Sequence, residues 1–307
     1  MHLREDIDRQ DLKAIIIILI CYLFYSGSDA TMKYLVQQNY DIIVILSLNS
    51  FFVLLFVGIY GLCRNGRAYF KTDKTKYHLF RGCLGCVFAF FITYALGNTS
   101  LSEFYMMIFT APLWVVVFSV VMMKEKINPI RSAIVLLGFA VIAYVFMPDG
   151  KMNMDLGLFC ALAAGLGVGF NMIYIRKYLR SERPVVISGF NSLVVFVLIL
   201  PFAVPKIDAT VIAGLPFFAM TGALMLSGSV FLSRAFQIAS HSVILAPFHY
   251  SQMAYGVLIG YIVFAELPSM RVIGGSIALV ALGCGLFWYD YNNNRKLRRY
   301  VRYDTKS

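Results

Sequence analysis

Charge is scarce in this chain, and acidic charge most of all. Its 16 Asp and Glu and 27 Lys and Arg make up 14% of 307 residues, where soluble domains carry about 25%. With 60% hydrophobic residues and a mean hydropathy of +0.74, that scarcity excludes a soluble globular protein. Four histidines (His2, His78, His241, His249) form no His-x-x-x-His pair of the kind a membrane-embedded lipid-modifying enzyme would use. Cys83-x-x-Cys86 has redox or zinc spacing, but no second pair accompanies it among the six cysteines, so the cysteines read as small helix-packing residues. There is no Walker motif. Gly165-x-Gly-x-Gly169 follows no strand and precedes no Lys-Ser/Thr, so nucleotide binding and ATP-driven pumping within this chain are excluded. No cofactor and no metal are expected.

What is present is apolar length. Runs of about 18–25 apolar residues recur between short polar stretches, and a bilayer-crossing helix needs about 20. Outer-membrane barrels instead alternate over segments of about 10 residues, a pattern absent from Ala14 to Tyr25. The reading is an all-α membrane protein with ten spans, near 12–35, 42–62, 79–97, 101–123, 130–147, 156–176, 184–204, 210–234, 242–265 and 271–289. Pro-Asp-Gly at 148–150, Pro201, Pro205 and Leu267-Pro268 interrupt it between spans. Ser28-Asp29-Ala30 resembles a signal-peptide cleavage site, but the repeat described below retains the first span.

The basic residues are unevenly placed. Of 27 Lys and Arg, 23 fall on one side of the ten-span reading, six of them in the tail from Arg295 to Lys306. The other side holds Lys151, Lys206 and Arg271, and Lys33 lies near the outer end of span 1. By the positive-inside rule both termini are cytoplasmic, which requires an even number of spans. The net charge of +11 is therefore a topology signal and a surface for membrane lipid headgroups. Nucleic acid is not an expected partner.

The chain also repeats itself. Lys33-Tyr34-Leu35 recurs as Lys177-Tyr178-Leu179, and Leu101–Glu125 aligns without a gap to Ser242–Glu266. Each of these helices ends in Glu, followed by a Pro-containing turn, an Arg (Arg131, Arg271) and a glycine-bearing apolar helix. Two five-span halves follow, 1–150 and 151–292, with a basic tail at 293–307. An odd number of spans per half inverts the second against the first, as in many transporters.

With Arg81-Gly82, Ala95-Leu96, Thr110-Ala111-Pro112 and Ala246-Pro247 added, these segments resemble the drug/metabolite transporter superfamily, in its branch with two EamA-type domains. The resemblance implies ten helices in two inverted five-helix repeats and a central cavity lined by helices 3, 4, 8 and 9, with help from 1 and 6. It also implies cytoplasmic termini and a small-molecule substrate. Ala246-Pro247-Phe248-His249-Tyr250 is similar to a segment of S-adenosylmethionine transporters of intracellular bacteria.

Ionisable groups inside hydrocarbon are costly and usually face a cavity or a partner. Asp29 and Lys33 are four apart on one helix face and form either a local ion pair or a gating and proton-binding pair. Glu103 either serves the N-terminus of span 4 through the helix dipole or lines a cavity mouth. In span 9, His249, Tyr250 and Gln252 follow Pro247 in an otherwise apolar helix, and this segment is expected to line the cavity. His249 is also a coupling candidate through its titration range. Tyr94, Trp114 and Asn171 join the substrate-binding set, Asn171 with interhelical bonding as its alternative. Arg81 and Arg234 at the inner interface contact headgroups or act as an electrostatic latch. Gly165-x-x-x-Gly169 and Gly256-x-x-x-Gly260 read as close helix crossings.

The expectation is a secondary carrier of the inner (cytoplasmic) membrane, moving an amino-acid-, nucleoside- or cofactor-like solute by alternating access. A proton or an exchanged solute would drive it. An efflux carrier for drugs or excess amphiphiles is the alternative within transport, and a lipid-modifying enzyme the alternative outside it.

Overall fold

The computed structural model describes residues 2–64, 70–124, 129–146, 155–238, 248–249, 251–282, 284–285 and 288. All regular structure among these residues is helical: α1 (His2–Gln37), α2 (Ile42–Leu62), α3 (Thr75–Asn98), α4 (Leu101–Ile108), α5 (Ala111–Met123), α6 (Pro129–Phe146), α7 (Leu156–Tyr178), α8 (Pro184–Ala203), α9 (Ala209–Ile238), α10 (Ser251–Phe264) and α11 (Met270–Leu282). Helix is the form demanded here, because in lipid each backbone N–H and C=O must be paired within its own segment. Seven stretches of the described residues are long and apolar enough to cross a membrane: 12–37, 42–62, 75–98, 101–123, 156–178, 184–206 and 209–232. The helices at 136–145, 251–264 and 270–282 are apolar but shorter.

The polar ends are closed by local chemistry. Asp41 caps α2 by accepting from Ile43 N at 2.8 Å, and Asp155 caps α7 by accepting from Leu158 N at 2.8 Å. Asp41 also accepts from Lys206 Nζ at 2.6 Å, tying the α1–α2 turn to the one after α8. Partial burial raises the Asp41 carboxyl, but the Lys206 ammonium and the Ile43 N–H outweigh it and hold the group below its usual range.

Two expectations change in detail. Span 4 is not one continuous helix: it breaks at Phe109–Thr110 into α4 and α5. Pro112 has no N–H to offer the Ile108 carbonyl, and Thr110 turns back to donate from Oγ1 to Met107 O at 2.7 Å. Pro201 does not end its helix either, since it lies in the last turn of α8, which continues into a short 3-10 turn, Val204–Lys206.

The helices of the two sequence halves interleave. α1 runs along α9 and also meets α3 and α10, α2 packs on α8 and α9, and α3 packs on α7 and α8. The core gathers around α4, where Leu101, Phe104, Tyr105, Met106, Met107 and Ile108 are all buried. Glycines on both sides let the backbone come in. A Cβ on Gly165 would stand 2.7 Å from Met107 O, and one on Gly169 would stand 2.9 Å from Ala111 O. From α10, a Cβ on Gly256 would meet the Tyr105 ring at 2.3 Å, and one on Gly260 would meet Leu101 Cβ at 3.8 Å. The α4–α5 span is clasped between the Gly-x-x-x-Gly faces of α7 and α10.

Replacing Gly169 by Val should lower stability by about 1–3 kcal/mol, because the added methyls meet backbone that cannot rotate away. Thermal unfolding in detergent measures it, with Gly58→Ala, whose surroundings are open, expected to unfold like the parent chain.

Candidate functional site

The site begins with the faces of α1. Its strongly exposed apolar residues, Leu12, Ile16, Ile20 and Leu23, recur at three- and four-residue spacing and make one lipid-facing stripe. At 100° per residue, Tyr25 and Asp29 fall on the far side, with Tyr22, Lys33 and Ser26 along its flank. Asp29 is nevertheless only half-buried. The carboxylate therefore lies on a face of α1 turned away from its lipid-facing stripe.

Asp29 and Lys33 share that face without pairing to each other. Asp29 Oδ2 accepts from Tyr105 Oη at 2.8 Å, which joins α1 to α4. The ring of Tyr105 is 1% exposed and fits where Gly256 leaves room for it. From there the rings continue: Tyr105 to Phe109 at 6.4 Å, Phe109 edge-on to His249 at 5.8 Å, and His249 edge-on to Tyr22 at 5.0 Å. These edge-to-face contacts are favourable geometries for aromatic groups. His249 Nε2 is buried and has no hydrogen-bond partner among the described residues. The Ser26 hydroxyl, one turn before Asp29, is buried beside the Tyr105 hydroxyl. Buried polar atoms of this kind are filled by water or ligand in most proteins.

Lys33 points elsewhere, into an ion pair. Its Nζ lies 2.6 Å from Glu266 Oε1, donates to Thr99 O, and stands 5.3 Å over the Phe264 ring. The other Glu266 oxygen accepts from Leu101 N at 3.0 Å, at the N-terminus of α4. Glu266 is brought there by the end of α10: Ala265 takes a left-handed φ of 53°, and Glu266 N reaches back to Gly260 O at 2.9 Å. This bond reaches one residue further back than the six-to-one bond of a Schellman turn. The ion pair thus locks α1, the α3–α4 turn and α10 together.

Glu103 lies in a capping box with Ser100: Ser100 N donates to Glu103 Oε2 at 3.1 Å, and Glu103 N donates to Ser100 Oγ at 3.2 Å. Arg81 and Asn171 meet across α3 and α7, with Arg81 Nε donating to Asn171 Oδ1 at 2.6 Å and Nη1 to Ile187 O at 3.1 Å. The Asn171 oxygen is thereby engaged by protein. Arg234 is exposed near the end of α9. Tyr94 stacks on Phe90 of its own helix at 6.4 Å, and Phe90 lines an apolar groove of about 410 Å³ between α2, α3 and α8. Trp114 packs edge-on to Phe139 at 5.1 Å, its Nε1 buried without a partner. Gln252 is 7% exposed in α10. Tyr250 lies outside the described residues. Asp29, Tyr105 and His249 come together; Tyr94, Trp114, Asn171, Arg81 and Arg234 are not seen in that cluster.

Sequence reasoning passed over Glu266 as an ion-pair partner, and Tyr22 and Phe109 as ring partners of His249. A signal for Glu266 existed: Lys33 is a basic residue inside the outer end of span 1, and Glu266 terminates an apolar helix on the same side. No comparable signal marks Phe109 among 26 phenylalanines. Among the described residues, no group of three His, Cys, Asp or Glu could hold a metal ion.

A helical bundle that keeps a carboxylate, an imidazole and a hydroxyl on an inward face between apolar helices is built as a membrane-embedded solute-handling protein. Residues 12–147 match the EamA-like transporter family. The chain is 25% identical over 265 residues to a protein named riboflavin transporter from Brucella anthropi, covering 82% of this chain and 90% of that one. It is 25% identical over 278 residues to an S-adenosylmethionine uptake transporter from Rickettsia prowazekii, covering 88% and 90%. A solved crystal structure shares the fold, with a TM-score of 0.58 at 18% identity over 88% of this chain and 94% of that one. Residues 12–147 thus resemble the EamA-like transporters, and the relatives that align along most of the chain bear transporter names.

Breaking one side of the Lys33–Glu266 pair should be costly, since the survivor is left as a buried unpaired charge. Glu266→Gln or Lys33→Met is expected to destabilise by about 3 kcal/mol, and the double replacement Lys33→Met with Glu266→Met by much less. Denaturant unfolding of the detergent-purified proteins reads this out; equal losses for single and double variants would contradict it.

Proposed function

We propose that the protein is a ten-helix secondary carrier, built as two inverted five-helix repeats (1–150 and 151–292) with a basic cytoplasmic tail (293–307). It moves a small organic metabolite across the inner membrane by alternating access. The metabolite is amino-acid-, nucleoside- or cofactor-like; riboflavin and S-adenosylmethionine are the cargoes in the relatives' names.

The packing pattern supports the repeat. Exchanging α1 with α7, α2 with α8, α3 with α9, and the α4–α5 span with α10 turns α1 on α9 into α7 on α3, and α2 on α9 into α8 on α3. The same exchange turns α1 on α10 into α7 on α5, and it leaves the α2–α8 and α4–α10 contacts in place. Two further residues agree. In the alignment of 101–125 with 242–266, Lys124 corresponds to Ala265, and both have left-handed φ, 55° and 53°. With five spans per half, the relation is an inversion across the membrane.

The same exchange pairs Lys33 with Lys177. Lys33 fastens α1 to the end of α10, and Lys177 fastens α7 to the end of α5 by donating to Met122 O at 2.7 Å. These are the outer and inner gates, and holding both at once corresponds to an occluded form. Release of one lysine at a time gives access from one side at a time. Arg81 with Asn171 braces the inner half of the bundle, and Arg234 serves the inner interface. Glu103 is held by its capping box, so coupling to a proton or an exchanged solute falls to Asp29 and His249. Tyr94, Trp114, Tyr250 and Gln252 complete the proposed substrate-binding set, Tyr94 and Trp114 away from this cluster.

The observation that carries this reading is the Asp29–Tyr105 contact on the inward face of α1, with the unpartnered His249 Nε2 across the same ring cluster. In proteoliposomes the parent chain should show exchange-stimulated counterflow of labelled S-adenosylmethionine or riboflavin. Asp29→Asn, Tyr105→Phe and His249→Ala should each slow it about tenfold or more, the equivalent of about 1.4 kcal/mol. Undiminished exchange in all three would refute the site, and ionic current without counterflow would refute the carrier.

A further inference from the structure

The carrier reading leaves open what distinguishes the cargo, and the electrostatics of α1 bear on that. Two opposite charges in the interior, Lys33 and Glu266, satisfy each other at 2.6 Å. Asp29 is left over. Among the described residues it has one hydrogen bond, from the neutral Tyr105 hydroxyl at 2.8 Å, and no cationic partner. A carboxylate accepts up to about four hydrogen bonds, and one held away from bulk water without a counter-charge is costly. The site is short of one positive charge, which a bound cation or a proton on the carboxyl would supply.

The surroundings specify more than charge. Tyr105, Phe109, His249 and Tyr22 form a continuous arc of rings, with centroid separations of 6.4, 5.8 and 5.0 Å. Such rings attract a cation over their faces and stack on planar heterocycles. One buried polar atom in the same cluster, His249 Nε2, has no hydrogen-bond partner among the described residues, and the Ser26 hydroxyl lies beside Tyr105. Nε2 can bond a ring nitrogen or exocyclic group, and a hydroxyl can donate or accept. A neutral flat ligand would satisfy the rings and the imidazole but leave the carboxylate uncompensated.

We infer that Asp29 and the Tyr22–His249–Phe109–Tyr105 ring arc form a subsite for a planar heteroaromatic compound that carries a fixed positive charge, with Asp29 as its counter-ion and His249 Nε2 reading the ring edge. This rests on the carrier reading and selects within it: a sulfonium- or ring-cation-bearing heterocycle is preferred to a neutral flavin. When the cation enters, Tyr105 gives up or shares its bond to Asp29, and that links cargo binding to α4.

Matched pairs test it. Binding to the detergent-purified full chain is measured for S-adenosylmethionine against its neutral thioether analogue S-adenosylhomocysteine, for 1-methylnicotinamide against nicotinamide, and for riboflavin. The cation should bind at least about tenfold tighter than its neutral counterpart in one pair or more. Asp29→Asn should abolish that preference while retaining the weaker affinity for the neutral compound, which shows that the variant is folded. Equal binding within both pairs, no binding of either cation, or riboflavin binding tighter than every cation and unaffected by Asp29→Asn would overturn the inference. Counterflow separates the two levels: if a neutral compound is carried without charge preference, the cation subsite fails and the carrier stands; if nothing is carried, both fail.

Discussion

Everything in the site depends on how closely α4 is held. It is eight residues long, too short to be stable by itself, and seven of the eight are buried. It survives because glycines on α7 and α10 remove the side chains that would keep neighbouring backbones apart. Close approach then yields dispersion and interhelical contacts, which replace the hydrophobic drive that lipid surroundings remove. The position of α4 in turn aims the Tyr105 hydroxyl at Asp29 and presents the Leu101 N–H to Glu266. One packing constraint therefore sets both the polar cluster and the ion pair.

The two charged sites differ in completeness, and that difference has consequences for function. Lys33 is closed off: a carboxylate, a backbone carbonyl and an aromatic face surround it, so it can fasten elements but has little left to offer a solute. Asp29 is only half-buried and has one neutral donor among the described residues. In a low-dielectric interior an unmet charge is an affinity waiting for a partner, whereas a met charge is a fastener whose release costs energy. The arrangement separates holding the bundle shut from holding the cargo. Glu103, held in its capping box, and Arg81, committed to Asn171 and Ile187, belong with the fasteners.

Much of the architecture was legible in the residues because lipid enforces simple rules. Long apolar runs read as helices, and Ile42–Leu62 is found at the expected boundaries. The Gly-x-x-x-Gly pairs read as close crossings and stand against the α4–α5 span and α10's neighbours. The break at Phe109–Thr110 was carried by Pro112 but was masked by the unbroken hydropathy around it. Asp29, Lys33, His249 and Glu103 stood out as rare ionisable groups, yet their partners did not.

Sequence by itself determined which stretches are helical and apolar, where the polar and glycine punctuation falls, and which few ionisable groups lie within the spans. These are local properties, decided by the cost of placing each residue type in hydrocarbon. Only the tertiary structure decided that Lys33 pairs with Glu266 instead of Asp29, that Asn171 belongs to Arg81, and that Tyr105, Phe109, His249 and Tyr22 form one arc. Partners more than 60 residues apart are chosen by helix rotation and crossing distance, which hydropathy does not encode.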